Sequence, residues 1–250
     1  MNELHDHRHD GSHPGVHAAP GGLAVSAEGF TLKAAPTTFE PGREVEFGVR
    51  ILGPNGGAVT DLDEQHEAPM HLIIVRRNLT HYQHLHPSPN ADGTWTTPLT
   101  LPEPGVYRAF ADFTVGGAPL ALGVDLTAPG YYAPGPLPAP ISVVRTKEGY
   151  EVELVVGAPA VGSETPLSFH VSHKGREVVD LEPYLGALGH LVALREGDLA
   201  YLHVHPTDGA DSQIVFSAVF PSIGRYRLFL QFAHERQIHT AAFTVEVPPG

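Results

Sequence analysis

Cysteine is absent from the 250 residues, which excludes disulfides, thiolate metal sites, a blue-copper centre and cysteine nucleophiles. Basic residues are few, 15 Lys and Arg against 28 Asp and Glu, for a formal net charge of −13. No Lys/Arg cluster interrupts that balance, so the footprint of a nucleic-acid partner is missing. The acidic excess favours cations near the surface, weakly and in a salt-dependent way. No run approaches the roughly 20 apolar residues of a membrane-spanning helix. Met1–Asp10 has no apolar signal-peptide core. Long stretches at helical spacing are also scarce.

What is present is turn chemistry, 24 Pro and 27 Gly, between short β-branched and aromatic runs. That pattern predicts an all-β chain. Its organising feature is a stretch that occurs twice, His71–Pro87 and His190–Pro206, with 190 − 71, 203 − 84 and 205 − 86 all equal to 119. The same offset carries Asp61-Leu62 onto Asp180-Leu181 and Gly105–Phe110 onto Gly224–Phe229. An ungapped match of this length is an internal duplication. The reading is two tandem immunoglobulin-like or cupredoxin-like β-sandwiches, at 23–126 and 141–250. A Pro-rich, semi-rigid linker joins them at 127–140, and a disordered His-rich tail precedes them at 1–22. The tail's His5, His7, His9, His13 and His17 suit loose metal gathering rather than a specific site. Tyr107 and Tyr226, each just inside a strand after a Pro/Gly corner, fit the tyrosine corner of such sandwiches.

Within each repeat, two apolar runs flank Arg77–Thr80 or Glu196–Leu199 and read as a β-hairpin, with Asn78 or Gly197 at the positive-φ position. If Asn78 and Leu79 centre the turn, paired residue numbers sum to 157, and to 395 in the second copy. His71 then opposes His86, and His190 opposes His205, with Cβ atoms roughly 4.5–5.5 Å apart. His84 and His203 join them, because residues two apart on a strand share a face. Each domain is thus expected to carry a triangle of imidazoles of a size to hold one ion through nitrogen. The expected place is a pole of the sandwich, where the following Pro ends the ladder. His66 is a candidate extra ligand in the first domain and His239 in the second. Met70 reads as a core residue, with soft ligation of Cu(I) as the alternative. His81, His170, His173 and His234 show no partner pattern and read as surface residues. An all-nitrogen donor set suits copper first and zinc second.

The run His66-x(4)-His71-Leu-Ile-Ile-Val-Arg-Arg-Asn-Leu…Gln83-His84-Leu-His86-Pro87 and the second-half run Tyr184–Pro206 resemble a family of bacterial proteins. These are found in actinobacteria and similar lineages and are labelled heavy-metal-associated or secreted. The resemblance spans about residues 20 to 247 and implies extracytoplasmic β-sandwich domains. Many such proteins carry an N-terminal membrane segment, which this sequence lacks. The functional expectation is a metal-binding protein that buffers, delivers or senses copper or zinc, with a delivery partner in the second case. A metalloenzyme is the first alternative, since H-x-H plus a neighbouring His resembles the zinc site of carbonic anhydrases. Glu67, Asp112 and Glu235 are then the acids within reach of the triads. A cupin-type oxygenase is disfavoured, because no Glu follows the second H-x-H. A structural or adhesive tandem sandwich with incidental histidines is the second alternative. The balance leans away from catalysis, and the oligomeric state is open.

Overall fold

A computed structural model describes residues 21–202, 204–207 and 213–249. The regular structure among them is all β, nineteen strands in four sheets. Each domain is a sandwich of an outer and an inner sheet. In the first, the outer sheet includes Phe30–Ala35, Glu44–Leu52 and Trp95–Thr100, and the inner one Met70–Arg76, Gln83–Leu85, Gly105–Val115 and Ala118–Ala128. The second domain repeats the plan with inner strands His190–Arg195, Tyr201–Leu202, Gly224–His234 and Gln237–Val247.

Alternation explains the cores. Phe47, Val49 and Ile51 of the outer sheet meet Met70, Leu72 and Ile74 of the inner one, fully out of water. Met70 is a core residue, as its apolar setting favours. The second domain closes over Phe169, Phe216, Phe232 and Phe243 in the same way. Both tyrosine corners form, Tyr107 Oη donating to Glu103 O at 2.9 Å and Tyr226 Oη to Ser222 O at 2.9 Å.

A third core lies between the domains. The strand Met70–Arg76 is buried on both faces, because its odd-numbered residues pack against the other sandwich. Ile73, Val75, Leu79 and Phe110 there meet Val192, Leu194, Leu199, Tyr201 and Phe229. The inner sheets therefore face each other, and the duplication makes the interface quasi-symmetric. Cross-strand pairs form three rows. His71 with Asp112 answers His190 with Gln231; Ile73 with Phe110 answers Val192 with Phe229; Val75 with Arg108 answers Leu194 with Arg227. The 119-residue offset relates every member of one set to its counterpart.

Two further pieces seal this interface. Leu137, from the proline-rich connection, is buried in it. Gly21 and Gly22, expected to end the tail, are instead laced in: Tyr201 N donates to Gly21 O (3.0 Å) and Gly22 N to Ala121 O (2.8 Å). A Cβ on Gly22 would stand 2.4 Å from the Phe110 ring, so only glycine passes there. The rest of the expected tail, residues 1–20, lies outside the described residues.

Candidate metal centre

The hairpins have the expected register. Leu72 pairs with Leu85 and Ile73 with His84, and in the second copy Ala193 pairs with Leu202, the sums of 157 and 395. The turn differs in detail. Leu79 and Leu199 take the left-handed conformation, both at φ 63°, alongside Gly197 at 95°, while Asn78 does not. The Asn78 side chain is held by its own turn, accepting from Arg76 Nε (3.0 Å) and Thr80 Oγ1 (2.8 Å). Burial of the leucine side chains between the domains offsets a left-handed backbone cost of about 1–2 kcal/mol per residue.

His71, His84 and His86 come together as the alternation requires. His71 Nδ1 lies 2.9 Å from His84 Nε2 and 3.2 Å from His86 Nε2. The location differs from the pole expected, because the shared face of these strands is the one covered by the other domain. His190 therefore joins the first triad. Its ring is 4.5 Å from that of His84 and 5.5 Å from that of His71. One nitrogen from each of His71, His84 and His190 falls within 4.8 Å of the others. Of the remaining second-copy candidates, His203 lies outside the described residues, and His205 is placed only as the start of the strand His205–Thr207.

His66 stands at the edge of this group, its ring 6.1 Å from His71 and 6.0 Å from His190. It and Glu67 take left-handed backbone at φ 47° and 61°, as do their counterparts Leu185 and Gly186 at 56° and 79°, so the turn is a feature of the fold. His239 does not belong to the group. It pairs with Phe232, whose side chain enters the second domain's core, whereas Gln231 next to it shares a face with His190. His239 thus points away from the cluster, packing on Tyr150 at 4.1 Å between ring centres, with Nε2 3.3 Å from His234 O and Nδ1 3.4 Å from Glu148 Oε2. Its first-copy counterpart is Leu120, and the position is a core position in both domains. Nor are all the remaining histidines surface residues: His234 is buried with Nδ1 2.7 Å from Tyr150 Oη, and His173 stacks on that same ring.

The second set of contacts fixes the tautomers. His71 Nε2 lies 3.0 Å from Gln65 O, a carbonyl that only accepts, so Nε2 carries the hydrogen and Nδ1 a lone pair. His84 Nδ1 lies 2.7 Å from Gln231 Oε1, so Nδ1–H donates across the domain boundary and His84 Nε2 is left with a lone pair. The two facing nitrogens at 2.9 Å then have no hydrogen between them. His190 Nδ1 is buried with no hydrogen-bond partner. Burial holds His71, His86 and His190 below the ordinary imidazole range, and His84 falls to about 3 through burial and its neighbours His71 and His86. The rings are therefore neutral near pH 7, the state in which imidazole ligates metals.

Beside the cluster is a cavity of ≈ 20 Å³, lined in part by His66, His71, Asp112, His190 and Tyr201. Asp112 is buried and its carboxyl pushed up by burial; it accepts from Tyr201 Oη at 2.8 Å. Of the acids considered for catalysis it alone lines this cavity, while Glu67 and Glu235 are exposed. Gln231 was invisible to spacing rules for ligands. Its signal was the offset: it is the counterpart of Asp112.

A family model described as "Domain of unknown function (DUF8832)" matches residues 25–130 and again 144–249. No curated protein matches the sequence. Solved structures of similar build include the Escherichia coli adhesin FdeC, at 14% identity and a TM-score of 0.30, covering 90% of this chain and 66% of that one. Yersinia pseudotuberculosis InvD matches at 17% identity and 0.30, covering 90% and 59%. Invasin, a bacterial integrin-binding protein, matches at 12% identity and 0.28, covering 88% and 39%. This chain thus spans less than two thirds of the length of these molecules.

Proposed function

The chain belongs to the DUF8832 family, with two copies in tandem, and we propose that it binds one transition-metal ion at the junction of the two. The ligands are His71 Nδ1, His84 Nε2 and His86 Nε2 of the first domain, with His190 contributed by the second. The observation that carries this is the hydrogen count. Two ring nitrogens face each other at 2.9 Å with their protons committed elsewhere, and His86 Nε2 stands 3.2 Å from the first of them. A cation in their midst converts that repulsion into ligation. Nitrogens 2.0–2.1 Å from a tetrahedral ion lie ~3.3 Å apart, close to the 2.9 and 3.2 Å separations here. The donors are all imidazole, which suits copper first and zinc next. The Gln65 carbonyl and Gln231 amide act as outer partners that fix ring orientation.

Buffering or sensing of the metal fits this arrangement better than catalysis. Asp112, an acid beside the rings, is engaged with Tyr201. The alternative role for this chain is a structural or adhesive tandem sandwich; FdeC is described as an adhesin and invasin as an integrin-binding protein.

Copper and zinc titrations of the metal-free protein, with and without residues 1–20, test the proposal. About one equivalent binds tightly in both forms, and His84→Ala with His86→Ala abolishes it. Unchanged stoichiometry in the double variant, or binding only when residues 1–20 are present, overturns the metal reading and leaves the structural one.

A further inference from the structure

We infer that the metal ion latches one end of the interdomain interface, so that its presence decides whether that end is open to water. This rests on the metal reading and adds a consequence to it. The first two rows described above pass from polar to apolar along the inner strands, and the third sets Val75 and Leu194 beside Arg108 and Arg227. At one end lie His71, Asp112, His190 and Gln231; two residues on lie Ile73, Phe110, Val192 and Phe229. Beyond them Leu79, Leu199 and Leu137 close the apolar end.

The two ends respond differently to water. Separating the apolar end exposes a hydrophobic core at roughly 25 cal/mol per Å², against which hydration gains only Tyr82 Oη and Arg227 Nε, buried without partners. At the histidine end, entering water would supply partners to the facing lone pairs of His71 and His84 and to the orphaned His190 Nδ1. The ≈ 20 Å³ cavity already there has room for about one water. His86, on the exposed rim, marks the route in. Without an ion, this end is the low-stability part of the interface. With an ion, His190 from one sandwich and His71, His84 and His86 from the other share a common centre, and opening must break metal–nitrogen bonds. The ion gains His190 as a ligand only in the closed form, so it binds that form more tightly and shifts the local equilibrium by mass action. A metal-dependent change in exposed surface is what a sensor requires.

Hydroxyl-radical footprinting of the full-length protein, in chelator and with zinc, reads this directly through side chains that are not ligands. Phe113, Leu191 and Val204 line the cavity; Val75, Leu79, Leu194 and Leu199 report the apolar end. Zinc is expected to suppress labelling of the first group several-fold and leave the second unchanged. In His190→Ala, zinc still binds the first-domain triad, more weakly, and no longer protects Leu191 and Val204. Stoichiometric zinc with no change in labelling, or an equal change at both ends, overturns the latch and leaves the metal site standing. Protection of Leu191 and Val204 that persists in His190→Ala overturns it too. Absence of zinc binding overturns both.

Discussion

Acid should destabilise the metal-free protein through the cluster, and the structure gives the size of the effect. Imidazole in the unfolded chain titrates near 6.5, while His84 in the folded state falls to about 3. Between those values the unfolded chain holds a proton that the folded one lacks, so stability is fully present above 6.5 and declines as pH falls towards 3. Each unit is worth about 1.36 kcal/mol. At pH 5 the loss from His84 alone is therefore about 2 kcal/mol, a sizeable share of the 5–15 kcal/mol typical of a domain. His71, His86 and His190 are displaced the same way and steepen the decline. Asp112, whose carboxyl is raised by burial, works in the opposite sense: it favours the folded state more as it protonates, offsetting part of the loss. Urea unfolding in chelator at pH 7.5, 6.5 and 5.0 measures the slope. His84→Ala should reduce it by about one proton between 6.5 and 5. Parallel profiles for the two proteins, or stability that rises on acidification, would refute the burial of neutral imidazoles on which the site depends.

The quasi-symmetry supplies a matched pair of tyrosine tests. Tyr82 and Tyr201 are 119 residues apart and each lies on the other domain's phenylalanine, Tyr82 on Phe229 at 4.2 Å and Tyr201 on Phe110 at 5.5 Å. Tyr201 Oη donates to Asp112, whereas Tyr82 Oη is buried without a partner. Tyr201→Phe should therefore cost about 1–2 kcal/mol in urea unfolding, while Tyr82→Phe leaves stability unchanged or raises it by up to ~1 kcal/mol. The reverse ranking would show that the interface is assembled differently. Gln231→Glu probes the tautomer argument: a carboxylate accepts only, so it holds hydrogen on His84 Nδ1 and keeps Nε2 free. Zinc affinity by competition titration should rise, within the ten- to hundredfold range of outer-sphere effects. A loss of affinity would mean that His84 does not ligate through Nε2.

Much of this was legible before any coordinates. The hairpin register followed from centring the turn on Asn78 and Leu79, which set His71 opposite His86. The shared location was not, because it depends on which face of the inner sheet a second domain covers. One clue was available in Met70–Val75, an almost unbroken apolar run whose only polar member is His71. A sheet with one face in water shows polar residues at alternate positions, whereas a strand buried on both faces does not. Leu191–Leu194 repeats the clue. His239 was misassigned for a related reason: its counterpart Leu120 is apolar, the mark of a position facing a core. The positive φ at Leu79 was out of reach of local turn preferences, since tertiary burial outweighs them.

Duplication alone would give two equivalent sites, one per domain, yet the fold brings a ligand of the second copy onto the first. The reason lies in the interface. When two copies pack through the same face, residues on the axis that relates them meet their own counterparts. His71 and His190, counterparts by the 119-residue offset, stack at 5.5 Å with ring planes 16° apart. The copies have diverged at the positions that matter. Asp112 faces Gln231, Tyr201 is bonded where Tyr82 is not, and His66 stands where the second domain has Leu185. Gln231 reaches across to orient His84, while Asp112 accepts from Tyr201. The asymmetry distinguishes the two copies within a pseudo-symmetric cluster, and it accords with the single shared ion proposed above.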